Sequence, residues 1–343
     1  MTDTRTVSKP SPALIINGTA VSRTSLGARR YYEGVMRHLE WSGPILTKSP
    51  CRWRAGERIH EALLRGQRDA LLWSPTHRGP LWAQRHVVTV LDCINVEHVY
   101  RQDYRLPLLH WSFGQMLRNA VAVVTISNAT RDAILRNFAI GPDKIQVIAG
   151  PTHFPEFRDD VITEPATSHP HGDYVLMVVN RLPHKNTRLA CEALAGSSAG
   201  RQSIRLRVVG QVDPAGAAAC ERAGIPVEQY SGIDDKTLHH WMQHARFLFS
   251  PSLDEGLNLP VAEALSLGAN VLCSDIAVHR EFYANRAIFC APDSCAAMID
   301  ALNDAFSKEG NWGLAFRSGL RRTFSEVAKD YRTLFLRTGT TTV

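Results

Sequence analysis

Three observations predict an α/β fold built from two doubly wound domains. Short apolar runs without polar alternation recur along the chain, as expected of strands buried on both faces of a parallel sheet. Stretches of helical periodicity separate them, the pattern of repeated strand–helix–strand units. The alternation stops once, at 151–172, where Pro151, Pro155, Pro165 and Pro170 sit among charges without apolar periodicity, and then restarts. A length of 343 residues allows each half its own core.

Residues 1–12 are polar and read as a flexible tail. The first domain, 13–150, has strands expected at 13–18, 70–73, 87–91, 121–126 and 144–148, and helices at 28–41, 106–119 and 128–138. After the 151–172 linker, the second domain occupies 173–320. Its strands are expected at 174–179, 204–209, 227–230, 247–249, 270–273 and 287–290, with helices at 186–194, 214–223, 234–244, 261–267, 278–283 and 294–306. A last helix over about 321–337 lies in the C-terminal segment 321–343. In 28–41, Tyr31, Tyr32, Val35, Met36 and Leu39 form an apolar stripe, and Arg29, Arg30, Arg37 and His38 fall elsewhere. Such a helix either faces its own sheet or rests on an anionic membrane.

Composition narrows the function. A hydrophobic fraction of 44% with ordinary charge indicates a globular protein. The net charge of +6 suits a solvated surface, or a basic face for anionic lipid or a phosphorylated acceptor. No Lys/Arg run interleaves with aromatics, so nucleic acid is not expected. The seven cysteines are scattered without a Cys-x-x-Cys pair, which points to reduced thiols and a cytoplasmic location. With no signal peptide or membrane span read from the sequence, contact with the inner face of the cytoplasmic membrane would be peripheral. His240 and His244 stand four apart beside His239, but there is no HExxH arrangement and no third ligand, so these are read as surface or packing residues.

The chemistry concentrates in 250–264. An apolar run, Phe247 to Phe249, leads into Asp254, Gly256 and Asn258, which break the pattern as a functional turn does. Pro260 fits the first position of a helix, where its missing N–H needs no partner. One carboxylate, Glu255, is placed on the loop, and Glu263 in the first helical turn or just beyond. Free N–H groups at a helix start favour a diphosphate, and carboxylates accept hydrogen bonds from sugar hydroxyls. The segment therefore reads as a nucleotide-sugar site.

Several ordered motifs carry a resemblance. Val179-Asn180-Arg181-Leu182-Pro183-His184-Lys185-Asn186, the strand Leu206 to Gly210, the Glu-x7-Glu run Glu255 to Glu263, Gly268 to Ser274 and His279-Arg280-Glu281 together resemble the nucleotide-sugar domain of retaining family 4 glycosyltransferases. The first half is similar more loosely. Ser25 to Tyr31 resembles a glycine loop in which Leu26 replaces one of two glycines. Val88 to Asp92 resembles a strand that commonly ends His-Asp, with Leu91 in the histidine's place, and Ile126 to Arg131 resembles a Ser-containing helix start.

The resemblance implies a GT-B fold, with the C-terminal helix crossing back to the first domain. It implies transfer of a sugar from a nucleoside diphosphate donor with retention, no cofactor and no metal. Arg181 and Lys185 would meet the diphosphate and offset charge as the bond breaks. Glu255 would touch the transferred sugar, Glu263 the ribose, and Asn258, Leu259 and Pro260 would supply backbone contacts beside Leu257. Gly256 and Gly210 would allow close approach, Gly27 would face phosphate or acceptor, and Asp92 would orient sugar or acceptor hydroxyl. Ser127 would bind phosphate or cap its helix. The first-half pattern looks most like bacterial mannosyltransferases of polysaccharide assembly, with GDP-mannose as donor and a saccharide or lipid-linked saccharide as acceptor. A nucleotide-sugar epimerase of related fold and a non-catalytic nucleotide-sugar-binding protein are the alternatives.

Overall fold

The structure is a computed structural model that describes residues 14–19, 21, 25–43, 45–46, 70–83, 85–97, 106–158, 172–310, 312 and 321–340. The tail expected at 1–12 and most of the linker lie outside the described residues. The first half contains β1 (Leu14–Asn17), α1 (Leu26–Leu39), β2 (Ile45–Leu46), β3 (Leu71–Ser74), β4 (His86–Val90), α2 (Ile94–Glu97), α3 (Leu106–Asn119), β5 (Ala122–Thr125), α4 (Asn128–Asn137) and β6 (Ile145–Val147). Its six strands form a parallel sheet in the order β2-β1-β3-β4-β5-β6.

The second half contains β7 (Tyr174–Val179), α5 (Thr187–Gly196), β8 (Arg205–Gly210), α6 (Pro214–Arg222), β9 (Val227–Tyr230), α7 (Asp235–His244), β10 (Phe247–Ser250), α8 (Leu259–Ser266), β11 (Val271–Ser274), α9 (Ala277–Tyr283), β12 (Ile288–Cys290) and α10 (Cys295–Ser307). Its parallel sheet runs β12-β11-β10-β7-β8-β9. The strands β1, β3, β4, β5, β10 and β11 are buried throughout, which is why they read as unbroken apolar runs.

The final helix, α11 (Phe324–Thr340), returns to the first domain and packs on α1. Tyr331 lies 4.9 Å, ring to ring, from Trp73, and its hydroxyl meets Thr89 Oγ1 at 2.9 Å and Tyr31 Oη at 3.4 Å. Trp73 Nε1 donates to the same Thr89 hydroxyl at 3.0 Å, so the buried polar groups satisfy one another. The apolar stripe of α1 is thereby used inside the molecule: Tyr31, Gly34, Val35 and Leu39 are buried.

Local chemistry moved several boundaries. The first helix starts at Leu26 rather than 28, because Ser25 Oγ accepts from Ala28 N at 3.3 Å as its N-cap. The helix expected at 261–267 starts at Leu259 behind Asn258, whose φ of 68° ends the loop, so Pro260 is its second residue and not its first. Glu263 correspondingly sits beyond the first turn. The short α2 was not expected; Asp92 Oδ1 accepts from Ile94 N at 3.3 Å and starts it. Among the described residues no helix is long and apolar enough to cross a membrane.

Candidate functional site in the interdomain cleft

The loop between β10 and α8 is held from beneath by buried groups. Asn258, in the left-handed region, donates its amide to Ser250 Oγ at 2.8 Å and to His279 Nε2 at 2.9 Å. Burial lowers the His279 pKa and keeps the ring neutral, so Nδ1 carries the proton toward the Ser274 carbonyl, 2.8 Å away. Tyr283 Oη donates to the Leu257 carbonyl at 2.7 Å. His279 and Tyr283 thus position the loop without needing to touch a ligand.

Glu255 is held by two side chains of its own domain. Its Oε1 accepts from Lys185 Nζ at 2.5 Å and from Ser252 Oγ at 2.7 Å. Burial pushes its pKa up, but the Lys185 ammonium and these hydrogen bonds outweigh burial and hold it below the usual carboxylate range. Among the described residues Oε2 has no hydrogen-bond partner, although the side chain is only 10% exposed.

Lys185 ends a 3-10 turn, Pro183–Lys185, and Asn186 follows at φ 53° with its amide on the carbonyls of Pro251 (3.2 Å) and Pro292 (2.7 Å). Arg181 is exposed just beyond the end of β7. The two cations therefore bracket a turn rather than lie one helical turn apart. Gly210 ends β8 at φ 112°, and a Cβ there would stand 1.8 Å from the Val179 carbonyl oxygen, so no other residue fits.

Across the cleft, three of the contacts between the first domain and this scaffold among the described residues bear on the site. A Cβ on Gly256 would stand 1.9 Å from the Leu91 carbonyl oxygen and 3.3 Å from Asp92 Cβ. The close approach expected of a ligand is in this structure made by the opposing backbone. Glu281 of α9 accepts from the N–H groups of Asn128 (2.8 Å) and Ala129 (3.1 Å) at the start of α4. Ser127 caps that helix, its Oγ accepting from Thr130 N at 3.1 Å.

The third contact changes the reading of Glu263. This carboxyl, 3% exposed, lies 3.2 Å from Arg30 of α1, which also pairs with Asp235. Burial pushes Glu263 up to about 7, against the pull of Arg30. The group expected to hold ribose hydroxyls is thus engaged by a guanidinium from the other domain. Sequence reasoning had no signal for this pair, whose members lie 233 residues apart. A Cβ on Gly27 would meet nothing within 4 Å, so no steric reason for glycine exists there.

A cavity of about 280 Å³ opens beside Glu255, between α2 and α4 on one side and the Leu253–Glu255 loop and α9 on the other. Asp254 borders it, its carboxyl pushed up to about 7, chiefly by burial and further by the neighbouring Asp92 and Glu97. His77, past the end of β3, was overlooked in the sequence. Burial lowers its pKa while Asp92 raises it, and its Nδ1 has no hydrogen-bond partner among the described residues. Packing accounts for the 239–244 histidines: His240 and His244 stack at 4.1 Å and His239 lies 4.0 Å from the Phe157 ring.

Two Rossmann-like domains meeting over a cleft, with Arg181, Lys185, Glu255 and Glu263 on the second, give the GT-B fold. Residues 162–330 match the family model for glycosyl transferases group 1, and the second half of the chain is a domain of that family. The chain is 25% identical to the O-antigen chain mannosyltransferase RfbU of Salmonella typhimurium over 261 residues, 71% of this chain and 68% of that protein. It is 26% identical to the MMP alpha-(1->4)-mannosyltransferase of Mycolicibacterium hassiacum over 191 residues, 52% of this chain and 44% of that one. Among solved structures, a glycosyltransferase from Rickettsia africae superposes with a TM-score of 0.67 at 12% identity, over 96% of this chain and 99% of its own.

Proposed function

We propose that the protein is a retaining, metal-independent hexosyltransferase that moves mannose from GDP-mannose to a saccharide or lipid-linked saccharide in polysaccharide biosynthesis. The observation that carries the reading is the fixed Glu255: one oxygen is held by Lys185 and Ser252, and the other is left for a sugar hydroxyl. Arg181, exposed at the neighbouring strand end, and Lys185 supply the positive charge that a departing diphosphate requires. With those cations in place the leaving phosphate itself helps take the acceptor proton, and no carboxylate acts as nucleophile, unlike the paired acids of glycosidases. The choice of mannose rests on the likeness to two mannosyltransferases.

Thermal shift tests the donor, since a ligand that binds only the folded state raises its stability. GDP-mannose is expected to raise the melting temperature more than UDP-glucose or UDP-N-acetylglucosamine; a larger shift with either UDP-sugar overturns the donor assignment. The anomeric configuration of the product, read by NMR, tests retention, and an inverted linkage contradicts it.

A further inference from the structure

Arg30 belongs to the first domain by sequence and to the second by its contacts. It projects from the second turn of α1, a helix seated directly on α11: a Cβ on Gly34 would stand 2.4 Å from the Phe324 ring. Its guanidinium bridges two helices of the other domain. Nη1 lies 3.2 Å from each carboxylate oxygen of Glu263 on α8, and Nη2 pairs with Asp235 on α7. Among the described residues Arg30 is the only side-chain hydrogen-bond partner of Glu263, which is 3% exposed. An ionised carboxylate accepts several hydrogen bonds, so this buried one keeps capacity for more. Asp235 and Glu156, in the 155–158 turn, work with burial against the charge on Glu263, and Glu33 of α1 acts on Arg30. Arg30 alone among these groups favours the ionised form.

We infer that Arg30 is a positioning residue for the nucleotide end of the donor: from the first domain it holds the Glu263 carboxylate charged and in place, so that this group of the second domain is ready for ribose hydroxyls only while the domains are in contact. A protonated carboxyl gives up acceptor capacity, whereas the ionised group accepts from both vicinal hydroxyls. Burial by itself would keep the proton on Glu263; the guanidinium offsets it, and the balance falls at about 7. Lys185 cannot take this part, being engaged with Glu255. Nucleotide affinity is thereby tied to domain contact without any need for Arg30 to touch the ribose. The inference rests on the glycosyltransferase reading, and within it on Glu263 meeting the ribose.

Titration calorimetry on the full chain tests this, with GDP and UDP each measured beside its 2′,3′-dideoxy analogue. Arg30→Met keeps the reach and burial of the side chain and removes its charge, while Arg30→Lys keeps the charge. At pH 7, Arg30→Met is expected to weaken binding of the preferred ribonucleotide by about tenfold, the effect of losing one opposite charge beside a buried carboxylate. The dideoxy analogue should bind both proteins within about twofold, and Arg30→Lys should recover most of the loss. The deficit should shrink severalfold by about pH 9, where Glu263 ionises without help; comparing the two proteins at each pH cancels the titration of the ligand's own phosphate. A residue that merely packs α1 against α7 and α8 would weaken both nucleotides alike at every pH. That result, a wild type blind to the ribose hydroxyls, unchanged affinity in Arg30→Met, or tighter binding there, as a guanidinium competing with ribose would give, overturns the inference. If the wild type binds a nucleoside diphosphate and transfers its sugar in any of these cases, only the role of Arg30 fails. If it binds neither GDP nor UDP and transfers from no nucleoside diphosphate sugar, the glycosyltransferase reading falls with it.

Discussion

Glu255 and Glu263 sit eight residues apart in one segment and are held in opposite ways. Glu255 is paired within its own domain by Lys185 and Ser252, and its charge is favoured. Glu263 is paired from the other domain by Arg30, and burial favours its proton, with a pKa of about 7. A carboxylate whose partners belong to its own domain would keep its geometry if the cleft opened. One whose partner lies across the cleft would change surroundings. The first arrangement suits a group that must meet a reacting sugar in fixed geometry. The second suits a group whose surroundings depend on how the two domains meet.

The largest effect is expected from abolishing the Glu255 arrangement. Lys185→Ala should lower transfer by at least about a hundredfold, the scale of losing a charge-stabilising group. The residual activity should carry its own mark. With the ammonium gone, the strongest influence opposing burial is lost and the Glu255 pKa rises, so the acid limb of the rate profile moves to higher pH. Near-normal turnover, or a lowered rate with an unmoved acid limb, would detach Lys185 from Glu255.

Next in size is the contact that brings the two domains together at this loop. Gly256→Ala places a methyl 1.9 Å from the Leu91 carbonyl oxygen, closer than real atoms stand, so loop or domain must shift. Displacing Glu255 by a fraction of an ångström is expected to reduce transfer by about tenfold to thirtyfold, within the range known for misplaced groups. Donor binding should suffer less, since Arg181, beyond the end of β7, is not disturbed. Measuring KM for donor beside kcat separates the two, and an unchanged kcat would show that the closed contact is dispensable.

The difference between the glutamates also explains what was legible in the sequence. Glu255, Lys185 and Arg181 could be singled out because each belongs to a local motif at a strand end of one domain, and the structure pairs the first two. The parallel sheets could be read for the same reason, since burial on both faces leaves continuous apolar runs such as Phe247–Phe249. Arg30 could not be matched to Glu263, nor Glu281 to the start of α4, because nothing in spacing encodes how two domains dock. His279 read as part of a motif, yet its work is to fix Asn258 from below, which only the buried hydrogen bonds reveal. Asp92 illustrates the opposite case: a residue picked for chemistry also starts a helix too short to announce itself.

The smallest effect, and the sharpest test of the comparison, concerns Glu263 alone. Its folded pKa of about 7 lies above that of an unfolded glutamate, so the folded state holds the proton more tightly. The stability this confers is fully present below the unfolded pKa and is lost as pH rises through about 7. Glu263→Gln is neutral throughout and has no such dependence. The melting temperature of the variant relative to wild type should therefore climb between pH 5 and pH 8, by about 1–2 kcal/mol of stability once water around Arg30 is allowed for. Glu255→Gln should instead be level between pH 5 and pH 8 and show the reverse slope only in more acidic solution: a carboxylate whose pKa is lowered on folding stabilises above its unfolded pKa, and that contribution is lost as pH falls through the folded value. If the two variants give parallel profiles, the electrostatic contrast between the ends of the segment does not exist. If they differ in this way, one end of the segment is charged and preformed while the other titrates near neutral pH.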